Sequence, residues 1–308
     1  SFKYGTAHAS QLVERAAQFE MSALALTDID TMAGAIRFVK SCEANQISPI
    51  LGINLSFIQK KYRITILAQG GELDSLYNLV TQVSLNNNEN LLTHELLERV
   101  SQYSRKLLIL HGPESQLAAA ISSRKNNEAL SIFNATRDLF AGQALECVSH
   151  LNRGDGEFST SHAARMLGFA SDNAIPAILT NAVRMLDRSD GPVADVLDSA
   201  RKLVPLSTKS VSRKNSEAYF KDSKQMSYLA DEISRLAGER DGRALLKRTN
   251  DWAERAILSP RKDVGIGQIH LPDAKFLGAK NQLELQTQLR SRCEAGLARR
   301  YSGSKSVA

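Results

Sequence analysis

The sequence has little of what a secreted or membrane protein needs. Only three of its 308 residues are cysteine, and Cys42, Cys147 and Cys293 lie far apart with no Cys-x-x-Cys pair. An odd number of widely spaced cysteines forms neither a disulfide framework nor a zinc knuckle, and it fits a reducing cytoplasm. No apolar run approaches the ~18 residues of a membrane span, and no basic-then-apolar leader opens the chain. We therefore expect a cytoplasmic protein with no membrane partner.

The chain also lacks the common motifs of nucleotide binding and covalent catalysis. It contains no Gly-x-Gly-x-x-Gly after its first strand, no P-loop and no Gly-x-Ser-x-Gly elbow. Those motifs cradle phosphates on backbone N–H groups or present a nucleophile on a sharp turn. Their absence weakens both a nucleotide-binding doubly wound sheet and a serine hydrolase.

Composition and charge describe a folded protein with two unlike parts. Hydrophobic residues make up 43% and charged residues 23% of the chain, which suits a sizeable core and excludes wholesale disorder. Residues 1–205 hold 19 basic and 21 acidic side chains, whereas residues 206–308 hold 20 and 12. A neutral body followed by a basic region can mark contact with nucleic acid, although arginine-rich solvated helix faces are the commoner explanation.

Short apolar runs alternate with amphipathic stretches through the first 205 residues. The runs predict buried strands at 23–27, 49–57, 63–68, 106–110, 144–148 and 175–180. The stretches between them predict helices at 9–20, 31–45, 71–85, 93–103, 114–139 (broken near 125–127), 158–168 and 192–203. Ser10 and Thr93 are the expected caps of two of these helices.

Such alternation predicts parallel strands joined by right-handed crossovers. We expect an α/β barrel of about seven or eight strands, one of which would precede Ser1. From about residue 206 the pattern changes to helices at 223–236, 242–258 and 281–301. These predict a C-terminal helical extension that Trp252 packs onto the barrel.

Polar residues at the expected strand ends are the candidate site, because parallel barrels carry their chemistry there. Asp28, His111, Glu146 and His150 are the only credible metal ligands among them, and they form no tight motif. Each also has an ordinary explanation, which we favour. Asp28 would cap the next helix, Glu146 would lie in a buried ion pair, and the two histidines would be hydrogen-bonded rim residues.

Several stretches resemble the N-terminal part of bacterial DNA polymerase III alpha subunits. They are SFKYGTAHASQL at the start, the block LVERAAQFEMSALALTDIDTMAGAIRFVKSCEANQISPILGINL, then DSLYNLV and AILTNAVRMLDRSDGPVADVLDSARKLVPL, and finally LPDAKFLG with LRSRCEAGLARRY. They follow one another in the family's order over essentially the whole chain. TNAVR, ADVLDSARKLVPL and AYFKDSKQM are most similar to the error-prone alpha paralogue.

The resemblance implies a distorted seven-stranded barrel, the PHP (polymerase and histidinol phosphatase) domain. In some members this domain binds three metal ions and hydrolyses phosphoesters. At seven matching positions the family's ligands are replaced here, and the first two histidines of the family would precede Ser1. The replaced positions are Tyr4, Ile29, Asn54, Arg63, Pro113, Ala182 and Arg184.

These replacements exchange anionic or imidazole donors for apolar, amide or cationic groups, and arginine cannot deprotonate to become a donor. The resemblance thus implies a degenerate metal site with no catalytic residues and no cofactor of its own. We expect Arg63 and Arg184 to pair with Asp28 or Glu146 where metals would lie. The alternative is that both arginines extend to solvent from strand ends.

The resemblance also implies a division of the chain and a role for it. We expect a barrel body at 1–205, its helical completion at 206–265, and a connector entering a truncated palm domain at 266–308. Because the chain begins with Ser1, we expect a fragment of a polymerase that copies a DNA primer-template in replication or repair. Its Mg²⁺ site would lie beyond residue 308, and its partners would include other replication or translesion proteins. The alternative is a PHP phosphoesterase or 3′–5′ exonuclease that keeps Asp28, His111, Glu146 and His150 as a reduced metal site.

Overall fold

A computed structural model describes residues 4–57, 61–70, 72–85, 93–208, 214–269, 276 and 278–301. Its chain divides into two compact units, residues 1–266 and residues 267–308. The first unit contains the whole sheet and ten of the helices within the described ranges. The three-part division expected from the sequence stays a prediction.

The first unit is built on one curled sheet of six strands in the order β1 to β6. Every predicted apolar run forms one of these strands, within a few residues of the expected limits. The strands are β1 (Ala23–Ile29), β2 (Ser48–Phe57), β3 (Tyr62–Leu67), β4 (Leu108–His111), β5 (Gly142–Cys147) and β6 (Ala177–Leu179). The sheet curls into half of a barrel, so the α/β class expected from the sequence is confirmed.

The prediction that all strands run parallel is wrong at β3. This strand is antiparallel to both of its neighbours, β2 and β4, while β1–β2, β4–β5 and β5–β6 pair in parallel. Only residues 58–61 separate β2 from β3, and a parallel crossover needs a dozen residues or more. A link of this length can only turn the chain back on itself.

Helices cover the outer face of the sheet. Leu51, Ile53 and Leu55 of β2 pack with Phe38 and Val39 in one core, and Leu145 and Leu179 join a second core. The helices of the first unit are α1 (Ala9–Gln18), α2 (Ala35–Ala44), α3 (Leu73–Leu85), α4 (Thr93–Ser101), α5 (Gln116–Ser122), α6 (Asn126–Asn134), α7 (Thr160–Asp172), α8 (Gly191–Lys202), α9 (Ser223–Leu236) and α10 (Arg243–Ala256).

Two local predictions about these helices had different outcomes. The break expected near 125–127 is confirmed, because α5 ends at Ser122 and α6 begins at Asn126. The Ser10 cap is wrong, since α1 begins at Ala9 with His8 as its N-cap residue. The Gln11 side chain accepts from the His8 N–H at 2.9 Å, which satisfies a free donor at the helix start.

The inner face of the sheet is covered by α10. Its Trp252 is 8% exposed and lies in a third core with Ile50, Leu108 and Ala144, as the sequence predicted for this residue. A Cβ at Gly142 would lie 3.0 Å from the Trp252 ring, so glycine permits this close approach. Ile257 bridges Ile50 just after the helix ends, which fixes α10 to the sheet.

The second unit carries α11 (Gln282–Tyr301), in which none of the residues is buried. Among the described residues, no helix has the length and apolar character needed to span a membrane. Cys42 and Cys147 are free and buried, and Cys293 of α11 is free and exposed. Burial raises the pKa of the Cys42 thiol and of the Cys147 thiol to about 12.

Candidate functional site

The candidate site lies at one edge of the sheet, which we call the carboxyl edge. The register aligns Ile29 with Asn54, Ser56 with Arg63, and Cys147 with Leu179. The last residues of β1, β2, β4, β5 and β6 therefore lie together at this edge. Because β3 is reversed, its first residues lie there too. This reversal brings Arg63 to the same edge as the ends of the parallel strands.

Tyr4 lies among the charges of this edge. Burial raises the pKa of its phenol first of all, and the carboxylates of Glu114 and Asp198 raise it further, whereas Arg184 and Arg63 lower it. The predicted positions Tyr4, Arg63 and Arg184 are thus close enough to influence one another electrostatically. The positions that complete the predicted set along the same edge are Asp28, Ile29, Asn54, Pro113, Glu146 and Ala182.

Arg184 is 14% exposed and forms an ion pair with Asp198 of α8, which is 11% exposed. Its Nη1 lies 3.0 Å from Asp198 Oδ2 and its Nη2 lies 2.9 Å from Oδ1, in the two-pronged geometry typical of guanidinium and carboxylate. Arg201 also donates to Asp198 Oδ1, at 2.8 Å. Although burial raises the pKa of Asp198, the hydrogen bonds from Arg201 and Arg184 outweigh it and hold this pKa below its usual range.

Arg63 forms the second ion pair of the edge. Its Nη1 donates to Glu114 Oε2 at 2.8 Å, and its backbone N–H donates to the Glu114 carbonyl at 3.0 Å. The prediction that both arginines are paired at the edge is confirmed in kind, but the partners predicted for them, Asp28 and Glu146, are wrong. Arg63, in β3, meets Glu114 just after the neighbouring strand β4. Arg184 follows β6 and meets Asp198 of α8.

Glu146 lies at the edge without either arginine as its partner. Thr180 donates to Glu146 Oε1 at 2.7 Å. Burial raises the pKa of Glu146, the Thr180 hydrogen bond lowers it, and the nearby Glu114 raises it again, so that the net shift is upward. A Cβ at Gly112 would lie 2.6 Å from Glu146 Oε2, so Gly112 makes room for this carboxyl group.

The remaining acidic candidate, Asp28, lies against the start of α2. Its Oδ2 is 3.2 Å from the place where a Cβ at Gly34 would stand, and Gly34 is the N-cap residue of that helix. Proximity to a helix start suits a carboxylate, since the first N–H groups of the helix are positively polarised. Asp30, two residues on, accepts from the Ser56 backbone N–H at 2.7 Å.

The two histidines of the candidate set lie in different surroundings. His111 is fully buried, pairs with Gln143 through Nε2 at 2.9 Å, and packs against Phe133 of the outer core. It aligns with Leu145, whose side chain also belongs to the outer core, whereas the next residue, Glu146, faces the inside. Alternate side chains of a strand point to opposite faces. His111 and Glu146 therefore do not face a common site.

His150 donates from Nε2 to the Asn181 carbonyl at 2.8 Å and stacks on Phe158 at 4.8 Å. Burial lowers the pKa of His150 to about 4, despite the opposing effect of the Asn181 hydrogen bond, and the Lys221 cation lowers it further. Burial likewise lowers the pKa of His111 to about 4. Both rings are neutral at pH 7, and both are hydrogen-bonded as the ordinary explanation predicted, but His111 lies buried in the outer core and not at the rim.

The donors at this edge do not fit a metal ion. Within the ranges that the structure describes, no group of three or more His, Cys, Asp or Glu side chains is placed to hold one. The Asn54 Oδ1 atom is buried without a hydrogen-bond partner, but one amide oxygen is far short of the several ligands that a divalent cation needs.

Sequence reasoning missed the acidic partners of the edge. Glu114 directly follows Pro113, so an acidic residue next to a predicted site position could have indicated a partner for Arg63. Asp198 and Arg201 are three residues apart on α8, a spacing that places them on one helix face. Lys221 was also missed. It is 3% exposed and donates to Asn181 Oδ1 at 3.3 Å and to the Glu217 carbonyl, and burial lowers its pKa to about 8.

Comparison with known proteins finds similarity to one domain family and to bacterial DNA polymerases. Residues 1–150 match the family model described as the PHP domain. The chain is 26% identical over 208 residues to an error-prone DNA polymerase of Pseudomonas fluorescens and 28% identical over 221 residues to one of Symbiobacterium thermophilum. These matches cover 67% and 66% of this chain and 19% and 20% of the relatives. The chain therefore spans about a fifth of the length of these curated relatives.

A DNA polymerase III subunit alpha of Bacillus subtilis is 26% identical over 189 residues, which is 58% of this chain and 16% of that protein. Among solved structures, an amidohydrolase from Chromobacterium violaceum matches at 12% identity and a TM-score of 0.36, over 59% of this chain and 84% of that one. A putative metal-dependent phosphoesterase from Bifidobacterium adolescentis matches at 13% identity and a TM-score of 0.32, over 57% and 82%. Likeness at this level carries no argument about function.

Proposed function

We propose that this chain, whose residues 1–150 match the family model of the PHP domain, is the PHP scaffold of an error-prone DNA polymerase III alpha subunit, with a degenerate metal site. The domain would have no catalytic residues and no metal cofactor of its own. It would brace the polymerase that follows it in the longer chain.

One observation carries this proposal. The Arg184 guanidinium lies at the carboxyl edge and is fully engaged with Asp198, a carboxylate that a metal would otherwise compete for. A guanidinium repels a dication at short range and cannot lose its proton to become a ligand. The amide of Asn54 and the apolar Ile29, Pro113 and Ala182 add to this in the same direction, because none of them is an anionic ligand.

The longer protein would carry out template-directed DNA synthesis in replication or repair. Its nucleotidyl transfer would depend on Mg²⁺ held by carboxylates beyond residue 308. Its partners would be the DNA primer-template and other replication or translesion proteins, in the cytoplasm. The basic excess of residues 206–308 supports weak, salt-sensitive contact with the DNA backbone in that setting.

Metal analysis of the purified chain tests the degenerate site. We expect less than about one tightly held Mn, Zn or Fe ion per chain after dialysis, because the edge offers too few anionic and imidazole donors. About two or more ions per chain would overturn the proposal.

A nuclease assay with Mn²⁺ and a 3′-ended DNA strand tests the same point through activity. We expect no metal-dependent hydrolysis above the level of an Asp28→Ala control. Hydrolysis that the Asp28→Ala change abolishes would instead support the phosphoesterase or exonuclease alternative. In that alternative His111 cannot be a ligand of the site, because it faces the outer core.

A further inference from the structure

Two residues, Tyr4 and Arg184, pack against each other at the carboxyl edge. The Arg184 guanidinium carbon lies 4.5 Å from the centroid of the Tyr4 ring. Arg184 Nε donates to the Tyr4 carbonyl at 3.0 Å, and the Thr6 N–H donates to the Arg184 carbonyl at 3.0 Å. Arg184 therefore binds the N-terminal segment through both its side chain and its backbone.

The other side of the same guanidinium binds α8. Nη2 donates to the Ala194 carbonyl at 3.0 Å, in addition to the two contacts with the Asp198 carboxylate. Asp198 is 8% exposed as a whole residue, so its charge is largely withdrawn from water and needs a partner. One side chain thus joins the N-terminal segment, the loop after β6 and α8.

The contacts of the Arg184 guanidinium with Asp198, the two backbone carbonyls and the Tyr4 ring are ones that a bound cation would also make. The guanidinium faces two carboxylate oxygens, two backbone carbonyl oxygens and the face of an aromatic ring. Oxygen atoms and ring faces attract positive charge. Unlike an ion, the guanidinium is tethered to the chain and cannot dissociate or deprotonate.

We propose that Arg184 is a built-in cation that closes the carboxyl edge by holding Tyr4 and α8 against it. We call the group of Tyr4, Arg184, Ala194 and Asp198 the Arg184 clasp. This proposal rests on the proposed function and adds to it that the Arg184 guanidinium takes the place of a metal ion. It predicts that the edge is held shut with no ion added.

An Arg184→Ala variant of the 308-residue chain tests the clasp, with Arg243→Ala as its matched control. Arg243 pairs with Asp241 at 2.7 Å, but its side chain is 80% exposed. Removing one partner of a buried ion pair leaves the other uncompensated, so we expect Arg184→Ala to lower Tm by about 6–15 °C. We expect Arg243→Ala to leave Tm unchanged within error, because exposed pairs contribute little.

Chemical rescue separates a lost cation from lost packing. The cavity in Arg184→Ala keeps Asp198 and the two carbonyl oxygens, so free guanidinium at about 50 mM, far below denaturing concentrations, should bind there. We expect it to recover about 2–4 °C of Tm in Arg184→Ala and nothing in the wild type or Arg243→Ala. Sodium chloride supplies a cation of a different shape, and urea has a similar shape without the charge. At the same concentration, each should recover less than half as much of the lost Tm.

The proposal is overturned if Arg184→Ala unfolds at the same temperature as Arg243→Ala, or if urea or sodium chloride rescues it as well as guanidinium does. Should Arg184→Ala not fold, a double-mutant cycle of Arg184→Lys and Asp198→Asn replaces it. We then expect the double variant to be no less stable than the weaker single variant, and additive losses would refute the clasp. Metal binding by the wild type is measured separately, so a failure of the scaffold proposal remains distinguishable from a failure of the clasp.

Discussion

The two edges of the sheet are closed by different kinds of interaction. At the opposite edge, where the parallel strands begin and which we call the amino edge, α10 packs Trp252 into the apolar core of the inner face. Its Arg248 and Arg255 donate to the Ala177 and Ala141 carbonyls at 3.0 and 2.8 Å. At the carboxyl edge, charged side chains neutralise one another in pairs. The first arrangement suits permanent burial, because apolar contact is insensitive to pH and salt. The second retains polar character at the edge, with Arg63 and Arg184 each engaged by a carboxylate.

The largest expected effect comes from breaking the amino edge. Trp252→Ala removes the side chain that fills the inner face, and we expect a loss of about 3–5 kcal/mol in the free energy of unfolding. Urea unfolding followed by circular dichroism measures it, and Trp252→Phe serves as a control with a smaller loss. If Trp252→Ala costs less than about 1 kcal/mol, α10 does not hold this edge.

The next effect comes from breaking the carboxyl edge at Asp198. Asp198→Asn keeps the size of the side chain but leaves Arg184 and Arg201 without their carboxylate, and we expect a loss of about 2–4 kcal/mol. Glu114→Gln, at the more exposed Arg63 pair (18% and 32% exposed), should cost under about 1 kcal/mol. Equal losses in the two variants would contradict the ranking of the pairs.

Acid should weaken both the outer core and the carboxyl edge. The pKa values of His111 and His150 are lowered to about 4 in the folded chain, against about 6.5 when unfolded. The unfolded chain therefore binds more protons between these values, and the stability present above pH 6.5 is lost as the pH falls toward 4. The urea midpoint should fall between pH 7 and pH 5, and less steeply in His111→Gln. An unchanged slope in that variant would show that His111 does not contribute.

The smallest expected effect is a gain. The pKa of Glu146 is raised, chiefly by burial, so its charged form disfavours the fold once the pH exceeds the folded pKa. Glu146→Gln keeps an acceptor for Thr180 and removes the charge, and we expect Tm to rise by about 1–3 °C at pH 8 but not at pH 4. A fall in Tm at pH 8 would mean that the carboxylate has a cationic partner.

Apolar periodicity predicted the strands and the helices of the described residues, because burial on one or both faces repeats with a fixed period, although several helix limits differ by four or five residues. It could not predict the direction of β3, since a short apolar run has the same pattern in a parallel strand as in an antiparallel one. The ion-pair partners were missed for a related reason. Whether Arg63 meets Glu114 or Glu146 depends on register, and a shift of one residue turns a strand side chain to the other face. His111 lies on the outer face, one position before Gly112. A shift of one position along the strand would have turned this histidine toward the site.

The place of α10 in the chain has a consequence for folding. Leu258 donates its N–H to the Pro49 carbonyl at 2.9 Å, and Trp252 shares its core with Ile50, about two hundred residues earlier in the chain. Contacts over such separations form late, since the loop they close is long. During synthesis the inner surface of β2, β4 and β5 therefore stays open to solvent, or to a chaperone, until α10 leaves the ribosome. The helix that covers this surface also marks the point at which the nascent domain becomes able to complete its fold.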